Sequence, residues 1–420
     1  MNRIEYNLSQ TAEFNKLVFT DDESTDLIMN LNSTECTTLN GQKYKVIRYN
    51  KNTLCYDNIP TYGMYRSVII NNDKQVVCFS PPKSVNADAF IKKYNTKNDC
   101  LIAEEFVEGT MINVFWDSKI GLSGAWEIST RNKVGAVSSF YKSLNSKTFR
   151  DMFLEAAKNN NLDLCSLDKN FCYSFVLQHP ENRIVVLFKL PQLYLISMYN
   201  IDNSDKNNIT VHSLDRSKFF ELHNNTTVKI PTVYNWTTYN ELISKYASMN
   251  TSYDILGVVI YNTETGERAK IRNPVYEQVR QLRGNQPKLQ YQYLCLRKEG
   301  EVNNFLKYYP EYKNEFSTFR DQIHLFTNTL YSNYVSCYIK KEKPLVEFPE
   351  QYKTHMFNIH KQYLDELKDK KKYVTNTVVI KYVNNIHPSL LMFCLNFQMR
   401  KRNVDFIRTN SDINTNISDI

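Results

Sequence analysis

The sequence predicts an α+β fold: antiparallel sheets with flanking helices, followed by an all-helical C-terminal domain. Two observations predict it. Residues up to about 275 break into short β-branched and aromatic runs separated by turn residues, with helical patterns between them. After about residue 300 the apolar residues step by three and four instead.

The strand signals come in order. Residues 67–79 hold two β-branched runs around Asn71-Asn72-Asp73, a hairpin pattern. Residues 111–116 and 125–130 form a second pair, and 173–177, 183–188 and 193–198 are three further candidates. Residues 255–261 and 268–272 flank a turn ending in Gly266, another hairpin. Helices are expected over 146–159, where Phe149, Met152, Phe153 and Ala156 share a face, and over 275–283, closed by Gly284. Beyond 300, Phe316, Phe319, Ile323, Phe326, Leu330 and Tyr334 make one amphipathic stripe, and Met356, Ile359, Tyr363 and Leu367 make another. Residues 374–406 carry a further helix or two. The division expected is a lead-in over 1–60, a first domain over 61–298, a helical domain over 299–408 and a mobile polar tail over 409–420.

Composition narrows the function classes. The apolar share of 42% over 420 residues is globular and sufficient for two or three cores. No run approaches the ~18 apolar residues of a membrane helix, and the N-terminus lacks a signal-peptide core, so a cytoplasmic location and no membrane partner are the default. The nine cysteines are scattered with no Cys-x-x-Cys pair, which argues against a disulfide framework or a structural zinc site, and no metal ligands are assigned. The net charge of +8 is modest, but its distribution is uneven. Between Arg268 and Lys298 stand eight basic residues against one acid, Glu277, with Tyr276, Tyr291 and Tyr293 interleaved. Cations among aromatics suit a phosphate backbone with stacked bases, and equally a solvated basic face. Arg280, Arg283 and Lys288 in this stretch are the candidate RNA-binding residues.

An ordered set of segments resembles the bacteriophage-type, ATP-dependent RNA ligases and related reading frames of large DNA viruses. The segments are Tyr65-Arg66-Ser67, then Ser80-Pro81-Pro82-Lys83-Ser84, Glu108-Gly109-Thr110 and Ser129-Thr130-Arg131, followed by Pro180-Glu181-Asn182-Arg183-Ile184-Val185, the run from Gly257 to Ile260, and Lys270-Ile271-Arg272. The resemblance covers about residues 60–275. It implies a nucleotidyltransferase (ATP-grasp-like ligase) domain, with ATP and Mg2+ as cofactors if the pocket functions, and RNA as partner. In that chemistry a lysine amine attacks the α-phosphorus of ATP and carboxylates hold the metal. Lysines on a facing strand neutralise the phosphate. The resemblance assigns Lys83, Glu108, Gly109, Arg131, Lys270 and Arg272 to nucleotide binding.

The sequence departs from the family at the catalytic positions. Matching on Glu108-Gly109 puts Phe106 at the nucleophile's place. Matching on Pro180 and Asn182 puts Val176 at the third motif's glutamate, and matching on Gly257 puts Leu256 at the fourth motif's glutamate. Three readings stay open. One is a pseudoenzyme that keeps nucleotide and RNA binding. Another is an active ligase whose nucleophile lies elsewhere, with Lys92, Lys93 or Lys97 as candidates. The third is a structural virion protein on a ligase scaffold that binds other viral proteins, located in the host cytoplasm or the virion.

Overall fold

The computed structural model describes residues 4–20, 29–139, 147–286 and 288–399. The tail from 409 lies outside the described residues. Contacts divide the chain into two units, Met1–Gln281 and Leu282–Ile420.

The strands of the first unit are, in chain order, β1 (Glu5–Asn7), β2 (Leu31–Thr37), β3 (Lys43–Tyr49), β4 (Val68–Ile70), β5 (Val76–Phe79), β6 (Leu101–Glu105) and β7 (Thr110–Asp117). They continue as β8 (Ala125–Thr130), β9 (Phe171–Gln178), β10 (Gln192–Asp202), β11 (Thr210–Leu214), β12 (Val233–Tyr234), β13 (Gly257–Asn262) and β14 (Arg268–Arg272). Its helices are α1 (Ala12–Phe19), α2 (Ile59–Tyr62), α3 (Ala87–Lys93), α4 (Phe149–Asn159), α5 (Ser217–Leu222), α6 (Tyr239–Tyr246) and α7 (Pro274–Arg283), whose end passes into the second unit.

The described strands form three antiparallel sheets, ordered β1-β11-β10-β9-β7-β8, β12-β6-β13-β14 and β2-β3-β4-β5. Side-chain alternation gives each sheet two different faces. On the six-stranded sheet, Phe115, Cys172 and Tyr199 pack against Tyr44, Val46, Ile69 and Phe79 of the β2–β5 sheet. Its opposite face, with Val114 and Phe175, is covered by Phe153 of α4 and Phe219 of α5. On the β6–β13–β14 sheet, Ala103, Val258, Ile260 and Ala269 face α3 and α6 through Phe90 and Leu242. The other face of that sheet carries Glu104, Arg268, Lys270 and Arg272 among Ile102, Val259 and Tyr261. The two hairpins expected at 67–79 and 255–272 and the pair at 111–130 form as read.

Residues 183–188, read as a strand, do not form one. The amides of Val185 and Val186 donate to the Glu108 carboxylate instead of to a neighbouring strand. Within residues 1–60, β1 joins the six-stranded sheet, and β2 and β3 make half of another. The β2–β3 hairpin turns at Asn40-Gly41, with Gly41 at φ +79°, a conformation glycine adopts freely.

The second unit is helical, with α8 (Leu289–Glu299), α9 (Val302–Tyr308), α10 (Lys313–Tyr334), α11 (Glu350–Gln362), α12 (Asn376–Asn385) and α13 (Pro388–Leu395). The stripe read along α10 is its buried face: Phe316, Ile323, Phe326, Leu330 and Tyr334. Tyr293 of α8 packs on Phe316 and Phe319, so the 289–299 segment belongs with the helices. No single described helix is long and apolar enough to cross a membrane.

Candidate functional site

β14 supplies the centre of the site. Its period of two puts Arg268, Lys270 and Arg272 on the face away from the apolar core, while Ala269 goes into that core. Antiparallel pairing lines Lys270 up with Val259 and then Glu104, and Arg272 with Gly257. Phe106 follows β6 directly, and its amide donates to the Gly257 carbonyl at 3.3 Å. The bare backbone at Gly257 lets β14 come close, since a Cβ there would meet the Ile271 carbonyl oxygen, and Phe106 lies against the side chains of the same strand. Lys270 Nζ lies 4.4 Å from the centre of the Phe106 ring, and the Arg272 guanidinium 5.4 Å from it.

Further cations converge from other segments. The Lys83 amide donates to the Gly63 carbonyl at 2.8 Å, which holds the 80–85 segment beside the turn that leads to Arg66. Arg268 ties the same segment to β14 by donating to the Pro82 carbonyl at 3.1 and 2.6 Å. Arg131 emerges from β8 and lies 5.2 Å over the Tyr49 ring. The electrostatics mark these residues as one cluster. Burial first, and then the charges of Arg268, Arg66, Arg272 and Lys83, push the Lys270 amine down to about 6. Burial, then Arg268 and Arg131, lowers Arg66 to about 10. Lys83 is lowered by burial and then by Arg66, Arg131, Arg268 and Arg272. Several polar atoms of the same segments are buried without a hydrogen-bond partner: the hydroxyls of Ser67, Ser80, Ser84 and Ser129, and Nε of Arg131. Burying such atoms unpaired is costly, and a bound oxyanion is the kind of group that repays it.

The remaining residues singled out from sequence fare differently. Glu108 is 5% exposed, and its carboxylate accepts the amides of Val185 and Val186 at 2.9 and 3.1 Å and the Tyr276 hydroxyl. Burial raises its pKa against those hydrogen bonds. This glutamate therefore braces a loop and does not present free oxygens. Glu108→Ala is expected to cost about 2–3 kcal/mol, because two amides and a hydroxyl lose their buried acceptor. Urea denaturation measures it, and an unchanged midpoint would mean that the loop is anchored by something else. Gly109, at φ +146°, is required by its own strand neighbour: a Cβ there would stand 2.4 Å from the Leu177 carbonyl oxygen. Val176 and Leu256, at the positions matched to glutamates, are both buried and apolar. Asn182 donates to the Thr110 hydroxyl at 2.7 Å and braces the strand ends.

Lys93 and Lys97 are drawn elsewhere. Lys93 pairs with Glu267 at 2.6 Å, and Lys97 lies 5.7 Å over Trp236, which belongs to the core on the far face of the β13–β14 sheet. Among the candidate RNA contacts, Arg280 pairs with Glu277 at 2.9 Å, and Glu277 also holds Arg272 at 2.6 Å. Arg283 is 3% exposed and sits 5.7 Å over Tyr312, so it is a packed residue. Lys288 is exposed. Arg66, in the Tyr65-Arg66-Ser67 segment, reads from sequence as structural, and Arg268 has no assigned site role there, yet both join the cluster. The strand alternation 268/270/272 is the available signal for Arg268, and the motif segment is the signal for Arg66.

The RNA ligase of Rhodothermus phage RM378 is 22% identical over 289 residues, covering 61% of this chain and 64% of that protein. By sequence, the chain is RNA-ligase-like. An immediate-early protein ICP-46 homolog of Invertebrate iridescent virus 6 is 24% identical over 265 residues, covering 58% of this chain and 54% of that protein. The RNA-ligase-like match thus spans less than two-thirds of either relative. No protein-family model matches. Among solved structures, a variant of the Naegleria gruberi RNA ligase with ATP and Mn overlaps at TM-score 0.34 and 13% identity, covering 59% of this chain and 76% of that one. An archaeal ATP-dependent RNA ligase overlaps at TM-score 0.35 and 11% identity, covering 88% and 75%. These overlaps are too loose to place individual atoms.

Proposed function

We propose that this RNA-ligase-like protein binds the phosphates of nucleotide and RNA and has lost adenylylation through position 106. The observation that carries the reading is the aromatic ring of Phe106 lying under Lys270 and Arg272; the motif resemblance matches this residue to the family's amine. A phenyl ring has no lone pair with which to attack phosphorus. Around it the cations remain: Arg66, Lys83 and Arg131 stand beside the β14 trio, and their mutual repulsion is relieved by an anion.

The test has two measurements. Incubation of the full chain with ATP and Mg2+, followed by intact mass, is expected to show no AMP adduct. Binding of labelled ATP and of a 5′-phosphorylated RNA is expected to weaken with salt, with a log–log slope of about −0.7 for each phosphate contact on a single strand. No binding of either at low salt would remove the phosphate reading.

A second reading keeps catalysis, and one observation favours it. The Lys270 amine, held to about 6, is largely unprotonated at neutral pH and lies over the ring at position 106. In that reading Nζ bonds to the α-phosphorus of ATP, the bond to the bridging oxygen breaks, pyrophosphate leaves and the nitrogen gives up a proton. An adduct mapped to Lys270 by peptide mass would replace the first reading with this one.

A further inference from the structure

The ligase resemblance brings with it a divalent metal, and the residues of this site do not fit one. A hard divalent cation needs several free oxygen ligands, carboxylates above all. Among the described residues, the acids on β6, on the turn after it and on α7 all have partners. Glu104 is buried and pairs with Arg216 at 2.8 Å. Glu105 accepts from the amide and hydroxyl of Thr232. Glu108 is consumed by two amides and a tyrosine. Glu277 bridges Arg272 and Arg280. The two positions matched to glutamates hold Val176 and Leu256. Among the described residues, no three His, Cys, Asp or Glu side chains gather in one place.

We propose that the site takes its polyphosphate free of metal, with Arg66, Lys83, Arg131, Arg268 and Arg272 doing the neutralisation that a divalent ion does elsewhere. The inference rests on the phosphate reading above and narrows its ligand to an uncomplexed di- or triphosphate. The charge balance points the same way. A divalent ion arriving with the nucleotide would meet guanidinium and ammonium groups at close range and no free carboxylate, so it is repelled while its ligand is attracted. An uncomplexed triphosphate carries more negative charge than its magnesium complex and matches the cluster better. Nε of Arg131 and the buried serine hydroxyls beside these cations are donors that phosphate oxygens accept from.

Calorimetric titration of the full chain with ATP, once in EDTA and once in excess Mg2+, tests this. Binding in EDTA, equal to or tighter than in Mg2+, is the expected result. Arg66→Gln and, separately, Lys83→Met should each weaken binding in EDTA roughly tenfold, the loss of one charge-assisted contact. A thermal melt of each variant checks that it folds. Binding that requires Mg2+ overturns the metal-free inference and leaves the phosphate reading standing. Binding in neither buffer overturns both. Unchanged affinity in two folded variants places the ligand elsewhere and also overturns it.

Discussion

Gly257→Ala is expected to destabilise the protein by about 3–5 kcal/mol, among the largest effects of any single substitution. The backbone there sits at φ +134°, and an alanine Cβ would lie 2.1 Å from the Ile271 carbonyl oxygen, 3.0 Å from Arg272 Cα and 3.1 Å from the Asn273 amide nitrogen. All three are backbone atoms, so no rotamer change relieves the clash. The strand β14 must move, and it carries Lys270 and Arg272. The displaced segment also carries the Arg272 guanidinium, which lies 5.4 Å from the centre of the Phe106 ring. Urea unfolding should therefore show a lower midpoint, and the fraction that stays folded should bind phosphate more weakly. A midpoint equal to that of the wild type would mean that β13 and β14 do not approach this closely.

Lys270→Met is expected to stabilise the protein at neutral pH and to flatten its pH profile. The folded amine sits at about 6, while an unfolded lysine titrates near ~10.4. Between those values the unfolded chain binds more protons than the folded one, so stability rises with pH across that window. Below about 6 both states are protonated, and the cost of burying the charge is carried in full. Around Lys270 stand Arg268 and Arg272 on its own strand, Arg66 and Lys83 from the facing segments, Phe106 beneath and Val259 opposite, with Glu104 one strand further and paired to Arg216. Among the described residues no carboxylate pairs with the amine, and solvent exposure reduces the penalty to the order of 1–2 kcal/mol at pH 7. Methionine keeps the length and removes the charge. Melting temperatures from pH 6 to pH 8 should climb more steeply in the wild type than in the variant. Burial also lowers His223, His355 and His360, which titrate in this range in both proteins, so the difference between the two slopes reports Lys270. Phosphate binding adds a second readout. An arriving anion favours the protonated amine, so the wild type should take up a proton on binding and bind more tightly as pH falls towards 6. Parallel pH slopes in the two proteins would show that Lys270 is not held neutral.

Much of the site was legible because strands alternate. The spacing 268/270/272 is enough to put three cations on one face of a strand. Counting back from Glu108-Gly109 is enough to reach Phe106 as the residue entering the site from β6. Counting from the neighbouring motifs likewise reaches Val176 and Leu256. The strand pattern is less legible elsewhere: β1, β6, β11, β12 and the β2–β3 hairpin at Asn40-Gly41 are not among the expected strands, and 183–188 has strand composition without strand partners.

Local pattern by itself determined the sheet-rich first part, the helical second part, the faces of α4 and α10, and the apolar identity of residues 106, 176 and 256, which the motif resemblance matches to a lysine and two glutamates. Each of these follows from a period of 2 or 3.6 residues, or from a motif offset, within one stretch of chain. Only the tertiary structure decided which polar groups find partners. Glu108 is spent on amides 77 residues away, Glu104 on Arg216, and Arg283 is buried against Tyr312. Arg66 and Arg268 joined the cluster for the same reason. A carboxylate's availability and an amine's charge depend on neighbours brought together by folding, and the sequence order of those neighbours holds no period that announces them.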